Sequence, residues 1–250
     1  MKRFMHAVAV ACAGTLMIAG TVAADGHARV VIPFDLETEG AAEGVAVNGD
    51  GDVYTGLSAL GRMLRIPGGD GDVEELLVLD GLAEGDFGFT GHAVNTYGWL
   101  YAAVVSANPE LNGVLSIDPD DGNWEHVPGT EAIAMANGLG VDFDRGVYVS
   151  DTIAGAVWRV ESSWDFVGSY DVELWATSPM LAGTGDLPYP FPVGANGVAV
   201  RDDTVYVANT EKSNIVAIPI LDDGSAGEPY VHLDLPGIAV DGIAFDEAGD

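Results

Sequence analysis

Five polar residues each stand before a glycine that opens an alternating apolar run, at intervals of 47, 47, 59 and 45 residues: Glu43, Thr90, Asn137, Asn196 and Asp241. All except Thr90 carry carboxylate or amide oxygens, the hard donors that Ca²⁺ prefers. Two carboxylates about 4 Å apart repel by roughly 4 kcal/mol at an effective dielectric of 20, and a divalent cation reverses that sign. Without a soft ligand in the set, a zinc site of the Cys/His type is not expected.

The elements between these residues predict how the chain brings them together. Each phrase leads through an Asx- and Gly-rich turn into a second strand, and third and fourth strands follow, in one repeat at 147–150, 155–160 and 171–175. Four antiparallel strands about every 45 residues form the blade of a β-propeller. Rotation about one axis then places the polar residues together at the tunnel mouth. We therefore predict an all-β propeller over residues 25–250, present as an incomplete ring of about four blades plus the first strand of a fifth.

The same dipeptides also have a local explanation, which stays open at this point. Asn-Gly and Asp-Gly are turn dipeptides, and non-catalytic propellers of the NHL type use glycine in this place. Two observations favour a metal site held by Glu43, Asn137, Asn196 and Asp241. Each repeat already has a hairpin turn after its first strand, and Glu43 is a poor turn residue.

The order of the four residues resembles that of the calcium-dependent, six-bladed hydrolases of the senescence marker protein/gluconolactonase family, which have paraoxonase and diisopropyl fluorophosphatase as structural relatives. The motifs that carry the resemblance are Glu43-Gly44-Val45, Asn137-Gly138-Leu139, Asn196-Gly197-Val198 and Asp241-Gly242-Ile243. It extends from about residue 30 to residue 250. It implies six blades, a catalytic Ca²⁺ or another divalent cation, and hydrolysis of lactones, esters or phosphoesters. The family pattern does not require Thr90 as a ligand.

The resemblance suggests roles for the individual residues. We hypothesise that the cation polarises a carbonyl or phosphoryl oxygen of a small-molecule substrate. Asp241 would be the general base for water or itself the nucleophile, Asn137 and Asn196 would hold the ion and orient the substrate, and Glu43 would be chiefly a ligand. The alternative is an NHL-type propeller that binds a sugar, peptide or protein without catalysis. A lyase resembling strictosidine synthase is a third possibility, but it would not need the complete acidic set.

The net charge of the chain and its N-terminal residues limit which partners and which cell compartment are expected. The chain has 9 Lys and Arg against 39 Asp and Glu, which excludes the basic face that nucleic acid or an anionic membrane requires. A carboxylate-rich surface that keeps the protein soluble in a saline habitat would explain this acidity, and so would acidic residues that simply lie in turns. A basic start and an apolar run predict a signal peptide over residues 1–24, and hence an exported, periplasmic or extracellular monomer without membrane contact after cleavage. Asp250 falls in a turn of the fifth repeat, so we expect a further C-terminal portion.

Two further features are candidates for roles near the mouth. The insertion at 178–194 is rich in Gly and Pro and leads directly to Asn196, so it could be a specificity lid or a plain connection between blades. Its Tyr189 and Phe191 are candidates for substrate contact. His92, two residues after Thr90, is predicted to be a buried and hydrogen-bonded histidine rather than a catalytic one.

Overall fold

The computed structural model describes residues 41–69, 71–142, 146–162 and 170–245 as four antiparallel sheets, each of four strands in chain order. Three short 3₁₀ turns, Ser58–Leu60, Pro67–Gly69 and Thr130–Ala132, are the helical elements of the described residues. Blade 1 comprises β1 (Ala42–Val47), β2 (Val53–Leu57), β3 (Arg62–Ile66) and β4 (Glu74–Val78); blade 2 comprises β5 (Gly88–Val94), β6 (Leu100–Val105), β7 (Gly113–Ile117) and β8 (Trp124–His126). Blade 3 comprises β9 (Ala136–Asp142), β10 (Gly146–Asp151), β11 (Ala156–Ser162) and β12 (Tyr170–Thr177); blade 4 comprises β13 (Ala195–Arg201), β14 (Thr204–Asn209), β15 (Asn214–Pro219) and β16 (Tyr230–Asp234).

The hairpin between β1 and β2 illustrates why the predicted turns form. The side-chain Oδ1 of Asn48 accepts hydrogen bonds from the backbone N–H groups of Asp50 (3.0 Å) and Asp52 (2.8 Å). These bonds close the turn, so that Val47 faces Val53 across the hairpin. The Asx-rich stretch that the sequence marked as the first hairpin turn therefore acts as a turn.

The glycine of each phrase is required by the close approach of the next inner strand. A β carbon at this glycine would come within 2.1–2.4 Å of the carbonyl oxygen of the polar residue in the following repeat: Gly44 against Thr90, Gly91 against Asn137, Gly138 against Asn196, and Gly197 against Asp241. Because the same contact recurs at four successive junctions, the five repeats are related as the blades of a propeller. The predicted β-propeller fold is confirmed.

Apolar side chains from facing blades form the core in layers between the sheets. Tyr54 of blade 1 packs with Phe89 and Leu115 of blade 2, and corresponding clusters join blades 2 and 3 and blades 3 and 4. A blade covered on both faces buries whole strands, and all five residues of β7 are buried. The core therefore fixes each blade against its neighbour and, with it, the inner strands that carry the candidate site.

The fifth repeat occupies the place predicted for the next inner strand. The N–H of Gly197 donates to the carbonyl of Asp241 (3.2 Å), so the segment runs beside β13. Within the described ranges, residues 241–245 do not pair with a second strand of their own. The predicted signal peptide, residues 1–24, lies outside the described residues, and no helix in the described part of the chain is long and apolar enough to cross a membrane.

Candidate functional site

The four candidate ligands occupy equivalent places at the start of successive inner strands. Glu43 lies in β1 opposite Gly56, Asn137 in β9 and Asn196 in β13, and Asp241 follows in the fifth repeat. The structure places Asn196 and Asp241 on adjacent strands, since the N–H of Gly197 donates to the carbonyl of Asp241 (3.2 Å), and the Asn196 side chain lowers the pKa of the Asp241 carboxyl group. Asn137 is one blade away from Asn196, and Glu43 is separated from Asn137 by the blade that carries Thr90.

Asp241 is a carboxyl group in a partly desolvated place. Burial raises its pKa to about 6, although the hydrogen bond from Asn196 acts in the opposite direction. No lysine or arginine of the described residues forms an ion pair with Asp241. This carboxylate therefore has no positively charged partner among the described side chains, and a bound cation would provide one.

The donor chemistry fits a hard divalent cation. No three His, Cys, Asp or Glu side chains among the described residues are grouped so that they could hold a metal ion. The candidate set contains only two residues of those types, Glu43 and Asp241, and its other two members are amides. A cation site here would therefore depend on the amide oxygens of Asn137 and Asn196 as much as on the carboxylates.

A repeated hydrogen bond joins each blade to the next just outside the candidate ligands. A hydroxyl group of one blade donates to the carbonyl oxygen of the residue that precedes the polar residue of the next blade. Three of the bonds are Thr90 to Ala136 (2.9 Å), Thr152 to Ala195 (2.7 Å) and Thr210 to Val240 (2.8 Å). In blade 1 the Ser58 hydroxyl is shared between the carbonyls of Phe89 (2.9 Å) and Phe87 (2.6 Å). Because the acceptors are equivalent, this bond is a structural feature of every junction between described blades.

Blade 2 makes this bond with a different residue, which accounts for the presence of Thr90. In blades 1, 3 and 4 the hydroxyl comes from the residue four positions after the tyrosine of the second strand. In blade 2 that position is Val105, which has no hydroxyl, and Thr90 donates instead. The Thr90 side chain is thus committed to joining blades 2 and 3.

Blades 3 and 4 add a second bond to the same threonines. Nδ2 of Asn137 donates to Oγ1 of Thr152 (3.1 Å), and Nδ2 of Asn196 donates to Oγ1 of Thr210 (2.9 Å). Sequence reasoning did not identify these threonines. The signal that could have found them is the recurrence of a hydroxyl four residues after the tyrosine of the second strand.

The 178–194 insertion is fastened beside the candidate site by Glu211. The Glu211 carboxylate accepts hydrogen bonds from the backbone N–H groups of Thr184, Gly185 (2.6 Å) and Val193 (3.1 Å), and from the Thr184 hydroxyl (3.1 Å). Burial raises the pKa of this carboxyl group, but these hydrogen bonds outweigh it and leave the pKa below its ordinary value.

The aromatic pair of the insertion is arranged as a stack. The rings of Tyr189 and Phe191 have centroids 6.1 Å apart and lie nearly parallel, 19° from coplanar. Tyr189 is exposed, so it presents a ring surface to solvent. Since Glu211 directly follows Thr210, the loop that carries this pair is attached to the strand end that supports Asn196.

His92 is buried as predicted, but the expected hydrogen bonds are not formed. Neither ring nitrogen has a partner among the described residues. The imidazole fills the space left by two glycines of blade 1, since a β carbon at Gly44 would lie 2.0 Å from Nδ1 and one at Gly56 would lie 3.0 Å from Nε2. Burial lowers the pKa of His92 to about 3, so the ring is neutral at physiological pH. His92 is therefore a packing residue between blades 1 and 2.

A groove of about 460 Å³ opens between blades 2 and 3 at the end where the inner strands begin. It is lined by small and apolar residues together with Asp86 and Glu131, and no lysine or arginine lines it. Hydrogen bonds from Ser106, Ala107 and Ala83 hold the pKa of Asp86 below its ordinary value, and backbone hydrogen bonds do the same for Glu131. The groove is thus negatively charged at neutral pH.

The comparisons with known proteins agree with the fold and leave the activity open. No family model and no curated protein matches the sequence. The structure is similar to a streptogramin B lyase (TM-score 0.57, 16% identity, 84% of this chain and 60% of the lyase) and to a gluconolactonase from Xanthomonas campestris (0.60, 19%, 83% and 67%). It is also similar to a chain of a nidogen/laminin complex (0.55, 15%, 78% and 65%). This chain therefore spans about two thirds or less of these structures, which share its fold.

Proposed function

We propose that this protein is a divalent-cation-dependent hydrolase of the gluconolactonase type, with Glu43, Asn137, Asn196 and Asp241 holding the ion and Ca²⁺ as the ion expected. The observation that carries the proposal is the repeated placement of oxygen donors at equivalent points of successive inner strands, with the half-buried Asp241 carboxyl group against the Asn196 amide. The similarity in fold to a gluconolactonase supports it. With the predicted leader, residues 1–24, the enzyme would act outside the cytoplasm.

The residues of the site would divide the chemistry among them. When bound, a divalent cation supplies Lewis acidity toward a carbonyl or phosphoryl oxygen. Asp241 would accept a proton from the attacking water or attack the substrate itself. Asn137 and Asn196 orient the substrate, and Glu43 contributes negative charge that holds the ion.

The net charge of the chain favours uncharged substrates. The chain carries 39 acidic against 9 basic residues, so its field repels anions. A neutral lactone or ester would therefore approach the candidate site more easily than a negatively charged phosphoester. Lactones and carboxylic esters are therefore the substrates that the proposal favours over phosphoesters.

The test is hydrolysis of a panel of lactones and aryl esters by the purified protein before and after treatment with EDTA. We expect turnover that is lost on chelation and restored by Ca²⁺. Asp241→Asn should still bind the cation, while its turnover falls by about 10²- to 10⁴-fold, the usual contribution of a general base. Unchanged turnover in Asp241→Asn would remove Asp241 from the chemistry. Chelation that changes neither thermal stability nor turnover would favour a propeller that only binds a partner.

A further inference from the structure

We propose that Thr152 and Thr210 are positioning residues that turn the side-chain amides of Asn137 and Asn196 so that their oxygens are presented to a cation. The inference rests on the proposed cation site. It concerns two residues that are not themselves ligands. It follows from counting the hydrogen atoms that each threonine hydroxyl can donate.

A threonine hydroxyl has one proton to donate, and both of these protons are already used. Oγ1 of Thr152 donates to the carbonyl of Ala195 (2.7 Å), and Oγ1 of Thr210 donates to the carbonyl of Val240 (2.8 Å). A carbonyl oxygen can only accept a hydrogen bond, so the direction of these two bonds is fixed. Each hydroxyl can then only accept from its second neighbour, the asparagine amide.

The amide group must therefore face each threonine with its nitrogen. Nδ2 of Asn137 lies 3.1 Å from Thr152 Oγ1, and Nδ2 of Asn196 lies 2.9 Å from Thr210 Oγ1. Turning either amide by 180° would place two oxygen acceptors against each other. In both blades the Oδ1 atom is left as the acceptor, which is the atom a hard cation binds.

Blade 2 provides a natural comparison for this role. Thr90 makes the same bond between blades, to the Ala136 carbonyl (2.9 Å), but no asparagine donates to it. Thr90→Val therefore removes a bond between blades without affecting an amide, whereas Thr152→Val and Thr210→Val remove both. All three variants lose the bond between blades, while Thr90 and Thr152 are buried and Thr210 is half-buried. Thr90→Val therefore controls for the loss of that bond.

The experiment measures Ca²⁺ affinity by titration calorimetry and by the Ca²⁺-dependent rise in Tm. We expect Thr152→Val and Thr210→Val to lose about 10- to 100-fold in affinity, as partners of metal ligands usually do. Thr152→Ser and Thr210→Ser keep the hydroxyl and should restore the affinity. Thr90→Val should lower the Tm of the Ca²⁺-free protein as the other valine variants do and leave the affinity unchanged.

A second measurement separates this inference from the proposed function. In the Ca²⁺-free protein, the side-chain amide protons of Asn137 and Asn196 should exchange slowly with water and should exchange faster in the matching valine variant. Equal affinity in Thr210→Val and the unaltered protein, or equal losses in Thr90→Val and Thr210→Val, would overturn the positioning role. If the unaltered protein binds no divalent cation but the exchange rates change as expected, the cation proposal fails while the amide orientation stands.

Discussion

Blade 2 and the two blades that follow it, blades 3 and 4, solve the same packing problem with different residues. All three place a glycine against the carbonyl of the next repeat, and all three donate a hydroxyl to the next blade. Blade 2 uses Thr90 for that donation, whereas blades 3 and 4 use Thr152 and Thr210. In blades 3 and 4 the residue before the glycine is therefore not needed for the bond between blades, and in both blades it is an asparagine.

The difference separates the part of the repeat that builds the ring from the part that is free to bind. The glycine and the hydroxyl are needed at each junction, so they reflect the fold. The polar residue before the glycine is needed for the fold only in blade 2. The same contrast appears two residues later, where blade 2 has His92 and blades 3 and 4 have Leu139 and Val198, all of them buried. Blade 2 is thus the packing form of the repeat, and blades 3 and 4 are the form that can carry a site.

The largest effect expected from the difference between blade 2 and blades 3 and 4 is a loss of stability in acid that originates at His92 in blade 2. Burial lowers the pKa of His92 to about 3 from 6.5, so the unfolded chain binds more protons than the folded protein between these values. The free energy of unfolding should therefore fall as the pH decreases from about 6.5 toward 3, by on the order of a few kcal/mol in total. His92→Leu, which gives blade 2 the residue of blade 3, should remove most of that decline in urea titrations at successive pH values.

A second histidine supplies the control variant for this measurement, and Asp241 makes a contribution to the pH dependence that has the opposite sign. His232 is exposed on β16, and we expect His232→Leu to leave the acid decline as it is in the unaltered protein. The raised pKa of Asp241 acts in the opposite sense, because the folded protein binds the extra proton between 3.8 and about 6, and stability falls as the pH rises through that window. An acid decline that persists unchanged in His92→Leu would show that blade 2 is not its source.

A smaller effect on the free energy of unfolding should distinguish a glycine that contacts the next repeat from a glycine that has open space beside it. A β carbon at Gly138 would lie 2.4 Å from the carbonyl oxygen of Asn196, and the backbone there cannot yield easily. Gly138→Ala should therefore lower the free energy of unfolding by about 1–3 kcal/mol, the usual cost of overpacking. Gly49, an exposed glycine of the β1–β2 turn, has nothing within 4 Å of such a carbon and no left-handed φ, so Gly49→Ala is the control. Equal losses in the two variants, measured by urea denaturation, would contradict the packing role.

The contrast between the glycines and His92 also explains what the sequence could predict. In the first four repeats the glycine is imposed by a contact with the next repeat, so its spacing was enough to predict the propeller fold. The surroundings of His92 depend on Gly44 and Gly56 of another blade, and nothing near His92 in the sequence indicates that its nitrogens lack partners. The pattern predicted burial correctly and the hydrogen bonding wrongly.

The residues that support the site were harder to predict than the candidate ligands. Thr152 and Thr210 do recur with the repeat, but the direction of their hydrogen bonds emerges only when the carbonyl of the next blade is in place. Glu211 has no repeat signal, because its partners lie 18 to 27 residues earlier in an insertion without periodicity. The predicted site residues themselves stay a prediction until a cation is tested.

The smallest effect concerns the loop that only the blade 3 to blade 4 connection possesses. Glu211→Gln weakens the hydrogen bonds that the carboxylate accepts from Thr184, Gly185 and Val193, because a neutral amide is a weaker acceptor and offers only one oxygen. We expect faster hydrogen exchange at these three backbone amides and faster proteolysis within 178–194. The global free energy of unfolding should change by less than about 1 kcal/mol, since the bonds lie in an exposed loop.

The hydrogen exchange of this loop should also depend on pH, and the lowered pKa of Glu211 determines the direction of that dependence. The pKa of Glu211 is below its ordinary value of 4.5, so the carboxylate fastens the loop above that pH and releases it as the pH falls through the lowered value. Exchange at Gly185 should accelerate in acid in the unaltered protein and should be nearly independent of pH in Glu211→Gln, after correction for the intrinsic rate. Glu228→Gln, an exposed change on the same blade, should leave the exchange as it is. A loop that is equally protected in Glu211→Gln would mean that its own packing, including the Tyr189–Phe191 stack, holds it beside Asn196 without the carboxylate.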